Sequence, residues 1–224
     1  MSNYRKSYND SQQPFARLAL ESYKQQRDVE GYRLLKRYST VDRAVFRHEQ
    51  TGDVVISFRG TSPKNWRDVT TDIAMVVNVP RASNRFRNAD RVTKQLVEEF
   101  GAAHVTAVGH SLGGSQALYV SNKYGIKAHA FNPYIMTSQI AKQESFPFAT
   151  IHTNLTDPIA GGTLLVKSNK KDFRYNIKSW PWLGQHGISN FIEARHAYRP
   201  AVVNVPKPTA TLGPVRYDSA FAYQ

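Results

Sequence analysis

The chain reads as an α/β fold, a mostly parallel central sheet flanked by helices, with extended segments at both ends. Three observations predict it. Short β-type apolar runs alternate with longer stretches whose apolar residues recur at helical spacing, the order that builds a parallel sheet covered by helices. One run, Val105 to Val108, passes through a glycine-flanked turn directly into a helical stretch. At 224 residues with 41% hydrophobic side chains, the chain can bury one substantial core and fits one domain.

Taken in order, residues 1–13 are polar and read as a mobile start to a domain spanning 14–196. Phe15, Leu18, Ala19 and Tyr23 share a helical face, which predicts a helix from Pro14 to Gln26. Ala44 to Phe46 and Val54 to Phe58 are β-type runs separated by the turn cluster Gln50-Thr51-Gly52-Asp53, the pattern of a hairpin. Phe86, Ala89, Val92, Leu96, Val97 and Phe100 mark a second amphipathic helix stopped by Gly101. The helix after the elbow carries Leu112, Ala117, Leu118 and Val120, with Gly125 as its stop. Lys127 to Phe131 and Ala149 to Thr153 read as further strands. Thr163 to Val166 and Phe173 to Ile177 read as a basic hairpin with Ser168-Asn169-Lys170 at its tip. Gly187 to Ala194 reads as a last helix turning Ile188, Phe191 and Ile192 inward. Residues 197–224 contain Pro200, Pro206, Pro208 and Pro214, show no period, and read as a tail.

Composition excludes several kinds of chemistry. Cysteine is absent, so there are no disulfides, thiolate metal sites or cysteine nucleophiles. No apolar run approaches the roughly 20 residues that span a bilayer, and MSNYRKSYND lacks the apolar centre of a signal peptide. The expectation is a protein soluble when made, in the cytoplasm, able to sit at a membrane surface or in a larger particle such as a virion. The formal charge of +13 gathers at Arg81, Arg85, Arg87, Arg91 and Lys94, and again at Lys167, Lys170, Lys171, Arg174 and Lys178. Such a field favours polyanionic partners: anionic headgroups, nucleic acid or an acidic protein.

The richest chemistry lies in Gly109-His110-Ser111-Leu112-Gly113-Gly114. A serine at a sharp strand-to-helix turn needs small residues two positions to either side, and Gly109 and Gly113 stand there. The helix N-terminus behind it favours developing negative charge, and the backbone N–H of Leu112 is the first candidate oxyanion donor. A serine nucleophile needs a histidine base, and the base needs an acid to fix its tautomer. With the order serine, acid, histidine, Asp157 in Leu155-Thr156-Asp157-Pro158 is the candidate acid. His186 and His196 are the downstream histidines; His186 is preferred because a helical turn follows it, with His196 the alternative. His110 reads as packing beneath the nucleophile.

Phe58-Arg59-Gly60-Thr61-Ser62-Pro63-Lys64-Asn65-Trp66-Arg67-Asp68, then GHSLGG, then Phe131-Asn132-Pro133, then Asn154 to Pro158, resemble the class 3 lipase family of α/β-hydrolases over about residues 40 to 195. The resemblance implies that Thr61 supplies the second oxyanion N–H, assisted by its hydroxyl, and that residues near Ser62 to Met75 belong to a lid. It implies hydrolysis of lipid carboxylic esters by Ser111, His186 and Asp157 through an acyl-enzyme, with no cofactor or metal. The basic clusters and Trp180-Pro181-Trp182 point to contact with an anionic membrane surface and hence to phospholipids. The rival readings are a non-catalytic or particle-associated protein on a hydrolase scaffold, its basic surface bound to anionic membrane or nucleic acid.

Overall fold

The structure is a computed structural model and describes residues 14–24, 26–61, 80–135, 144–157, 163, 166–168, 173–175, 187–193 and 197–198. Helix α1 covers 14–21, shorter than the sequence spacing predicts. Strands β1 (Tyr32–Leu34), β2 (Arg43–His48) and β3 (Val54–Phe58) follow, then α2 (Pro80–Phe100), β4 (Val105–His110), α3 (Leu112–Tyr124) and β5 (Lys127–Phe131). The described chain closes with β6 (Ser145–Phe146), β7 (Ala149–Asn154), β8 (Lys167–Ser168), β9 (Phe173–Tyr175), α4 (Ser189–Glu193) and β10 (Ala197–Tyr198).

Eight strands form one sheet in the order β1-β2-β3-β4-β5-β7-β9-β10, and β6 pairs with β8 in a second, two-stranded sheet. From β3 through β9 the large sheet is parallel; β1, β2 and β10 are antiparallel additions at its two sides. The β2–β3 hairpin turns at Gly52, whose φ of 77° suits a residue without a side chain. Gly125, at φ 65°, ends α3 in the left-handed conformation, as its place in the sequence predicts.

Because side chains alternate across a strand, the sheet divides its apolar residues between two layers. Val45, Ile56, Ala107 and Ala128 face Ala89, Val92 and Leu96 of α2 and Ala117, Leu118 and Val120 of α3. Ala44, Phe46, Val55, Val108 and Phe131 face Ala16, Leu18 and Ala19 of α1, Phe191 of α4 and Ile188 just before it. Helices therefore cover both faces of a parallel sheet, which explains why β3 and β7 are buried at every position.

One expectation fails. The basic hairpin does not form: β8 pairs parallel with β6, while β9 pairs parallel with β7 in the main sheet. The physical reason is β7, whose buried backbone needs a ladder partner on its open side, and β9 supplies it. β10, just past residue 196, then pairs antiparallel with β9.

Candidate active site

Parallel strands in such a sheet carry their functional loops at the carboxyl ends. Ser111 leaves the end of β4 and caps α3 with φ 57° and ψ −127°. Among the described residues it shares positive φ, outside glycine, with Asn132 alone. A serine held there stores backbone strain of about 1–3 kcal/mol. The glycines around it explain how the turn closes. A methyl group on Gly109 would overlap the Gly113 carbonyl, and one on Gly113 would overlap the Phe58 carbonyl of β3. The backbones of β4, α3 and β3 thus approach too closely for any side chain. The Ser111 N–H donates to the Phe131 carbonyl at 3.0 Å, tying the turn to β5.

The loop after β3 lies against this serine. A methyl group on Gly60 would sit 3.2 Å from Ser111 Cβ. Thr61 follows, and its Oγ1 is buried without a hydrogen-bond partner. Buried hydroxyls are nearly always satisfied, and among the described residues Thr93 Oγ1, Gln116 Oε1 and Asn122 Oδ1 share this state with Thr61. Leu112, the first residue of α3, is buried and belongs to the helix turn whose N–H groups have no intrahelical acceptor. Thr61 and Leu112 therefore flank Ser111 from two elements.

Three bonds fix the Gly60 loop. The Arg59 N–H donates to the Asp42 carbonyl at 3.0 Å. Arg85 of α2 donates from Nη2 to the Arg59 carbonyl at 2.6 Å, and Gln116 of α3 donates from Nε2 to the Arg85 carbonyl at 3.0 Å. The third bond comes from Tyr23, just past α1. Its hydroxyl accepts the Gly60 N–H at 3.0 Å and lies 3.0 Å from His110 Nδ1. Burial raises the phenol above its usual range, so it stays protonated. The same oxygen bonds Gly60 and His110 at once, with the proton of the second contact on either the phenol or Nδ1. Tyr23 thereby joins the serine turn to the neighbouring loop. Its place on the apolar face of a predicted helix signalled packing; nothing local signalled the hydroxyl's partner.

Asp157 is 3% exposed and sits in the turn after β7, two strands from β4, its N–H donating to the Asn154 carbonyl at 3.0 Å. Asn132 links the two strand ends. Its N–H donates to the His152 carbonyl at 2.8 Å, and its Oδ1 accepts the Asn154 N–H at 2.7 Å. Ser111, Thr61, Leu112 and Asp157 all lie at the same edge of the sheet. His186 and His196 are outside the described residues, as are the lid candidates Ser62 to Met75, Trp180 to Trp182 and both chain ends. No group of three or more His, Cys, Asp or Glu side chains that could hold a metal occurs among the described residues.

A family model for the Tle-like phospholipase domain, described as phospholipase-like, matches residues 6–153. The chain belongs to that family. Membership makes this Tle-like domain a lipid ester hydrolase, and the matched span takes in Tyr23, Thr61, Ser111 and Leu112 and stops before Asp157. Among solved structures, a mutant form of MDLA from Penicillium cyclopium is similar at 16% identity, covering 78% of this chain and 82% of its own, with a TM-score of 0.50. The Lip2 lipase from Yarrowia lipolytica aligns at 14% identity over 79% of this chain and 80% of its own, with a TM-score of 0.49. The Tle-like domain thus has the α/β-hydrolase fold. A comparison with curated proteins found no match.

The Tle-like domain also brings together a buried histidine on β7 and a partly buried one on β5. His129 Nδ1 lies 3.3 Å from His152 Nε2, with Phe15 stacked on His129 at 3.9 Å and Phe131 on His152 at 4.2 Å. Burial, with Lys127 adding repulsion, lowers His129 to about 3, and burial with His129 lowers His152 well below its usual value. Both are neutral structural groups, one donating to the other.

Proposed function

We propose that the protein is a serine hydrolase of the class 3 lipase type that cleaves carboxylic esters of phospholipids through an acyl-enzyme. Ser111 Oγ attacks the ester carbonyl, and His186 takes its proton and returns it to the leaving alcohol. Asp157 holds His186 in the tautomer that can accept that proton. The N–H groups of Leu112 and Thr61, with the Thr61 hydroxyl, receive the oxyanion. Water then enters, His186 deprotonates it, and hydrolysis of the acyl-serine restores Ser111. No metal enters these steps.

The observation that carries this reading is the pairing of a strained Ser111 with the orphan Thr61 hydroxyl across the Gly60 loop. Strain at Ser111 and an unmet hydrogen bond at Thr61 each cost stability, and a nucleophile with an oxyanion donor beside it gives both a use. The test is hydrolysis of p-nitrophenyl esters and phospholipid vesicles by the wild type and by Ser111→Ala. Loss of turnover by about 10⁶ in the variant, with an unchanged fold, is expected. A variant that hydrolyses as fast as the wild type sinks the mechanism.

A further inference from the structure

Beside the Gly60 loop, arginines from four parts of the chain converge on residues 40–43. Arg27 donates from Nη1 to the Arg43 carbonyl at 2.8 Å and from Nη2 to the Thr40 carbonyl at 2.6 Å. Arg43 donates from Nε to the Tyr38 carbonyl at 2.8 Å. Arg59 reaches the Val41 carbonyl and lies over the Tyr23 ring, 5.6 Å from its centre. Arg85 binds the Arg59 carbonyl and lies 3.5 Å from Asp42. Burial lowers Arg27 and Arg43 from their usual range, with Arg59 repelling Arg27 and Arg91 repelling Arg43. Guanidinium groups do not discharge, so the group carries a standing repulsion that Asp42 offsets in part.

Neutral carbonyl acceptors hold Arg27, Arg43 and Arg59 in place without cancelling their charge, whereas Arg85 pairs with the Asp42 carboxylate at 3.5 Å. Val41, 73% exposed, projects from the same loop and is the most exposed large apolar residue among those described. An apolar tip within a cationic rim suits the boundary between headgroups and acyl chains, where a nucleic-acid groove would leave the valine without a purpose. The position matters as much as the charge. Arg59 adjoins Gly60, which lies against Ser111, so the cationic group and the serine turn share one loop.

We propose that Arg27, Arg43 and Arg59, beside the exposed Val41, form the face that docks on an anionic phospholipid surface and receives a headgroup phosphate beside the serine turn. This inference rests on the ester-hydrolase reading only for what happens to the bound lipid.

The test is cosedimentation of the full chain with phosphatidylcholine vesicles carrying increasing phosphatidylglycerol, at low and high salt, in the Ser111→Ala background. Binding should require phosphatidylglycerol and weaken with salt. Arg27→Gln and Arg59→Gln should each lose about fivefold in partitioning, and Arg59→Lys should retain most of it. Lys94→Gln makes the same charge change on an exposed part of α2, where Lys94 pairs with Glu98 at 3.7 Å, and should lose at most about twofold. Equal losses at Arg59 and Lys94 would overturn the proposal, as would binding indifferent to phosphatidylglycerol. So would duplex DNA that displaces the vesicles through the same arginines. Ester turnover of the wild type against Ser111→Ala is measured separately. Vesicle binding that follows these expectations while Ser111→Ala still turns over would uphold the docking face and reject the mechanism.

Discussion

At Ser111 the backbone and the side chain make opposing demands, and substitutions can separate them. Ser111→Ala removes the hydroxyl and keeps the strain; Ser111→Gly removes both, because glycine adopts φ 57° freely. Ser111→Gly should therefore be the more stable of the two, by about 1 kcal/mol, when thermal unfolding midpoints are compared. Thr61 invites a similar separation. Thr61→Val removes a buried hydroxyl without a partner, so stability should hold or rise, while turnover falls by about 10² if that hydroxyl serves the oxyanion. A loss of stability with turnover intact would assign Thr61 to packing. Tyr23→Phe strips the acceptor from the Gly60 N–H and the partner from His110 Nδ1 in one change. Steady-state kinetics should show a lower kcat at nearly unchanged KM, the signature of a displaced oxyanion loop. A rise in KM alone would place Tyr23 in substrate binding.

Elements were legible in the sequence where their cause was local. Periodicity marked α2, α3, β3, β4, β5 and β7, because each buries a face whose spacing its own residues set. Gly109 and Gly113 announced the serine turn for the same reason: close backbone approach leaves a mark in composition. Partners set by distant chain were not legible. Thr163 to Val166 and Phe173 to Ile177 looked like two arms of a hairpin, yet β9 lies between β7 and β10, and β8, which follows the first arm, pairs with β6. The Tyr23 hydroxyl likewise looked like one more core aromatic. Short strands of two or three residues take their partners from whatever edge is open, and no local pattern records that. Among helices, α4 is small but central to one layer: Phe191 is 2% exposed and its ring lies 5.3 Å from that of Phe131. Phe191→Ala should cost about 3–5 kcal/mol in urea unfolding, a value near zero meaning that α4 is not anchored by this contact.

For the molecule as a whole, the histidine pair between β5 and β7 is one source of acid sensitivity. In the folded state His129 titrates near 3 and His152 also well below its ordinary value, whereas both are protonated near 6.5 once unfolded. Unfolding below pH 6.5 therefore takes up protons, so this contribution to stability is complete above that value and is lost as the pH falls toward 3. The pH dependence of the unfolding free energy should steepen across that window, approaching two protons for the pair. His152→Phe should flatten it, and an equally steep profile in that variant would place the acid sensitivity elsewhere.

The bond between Tyr23 and His110 joins positions 87 residues apart. Closing a loop of that length costs entropy before any contact rewards it, and contacts of such separation slow folding. Helices α2 and α3 can form from their own neighbours, but the frame around Ser111 must wait for the first helix to return beneath it. During refolding, ester turnover should therefore emerge after the far-ultraviolet helix signal has recovered, and a chain still folding would be unable to attack the lipids around it.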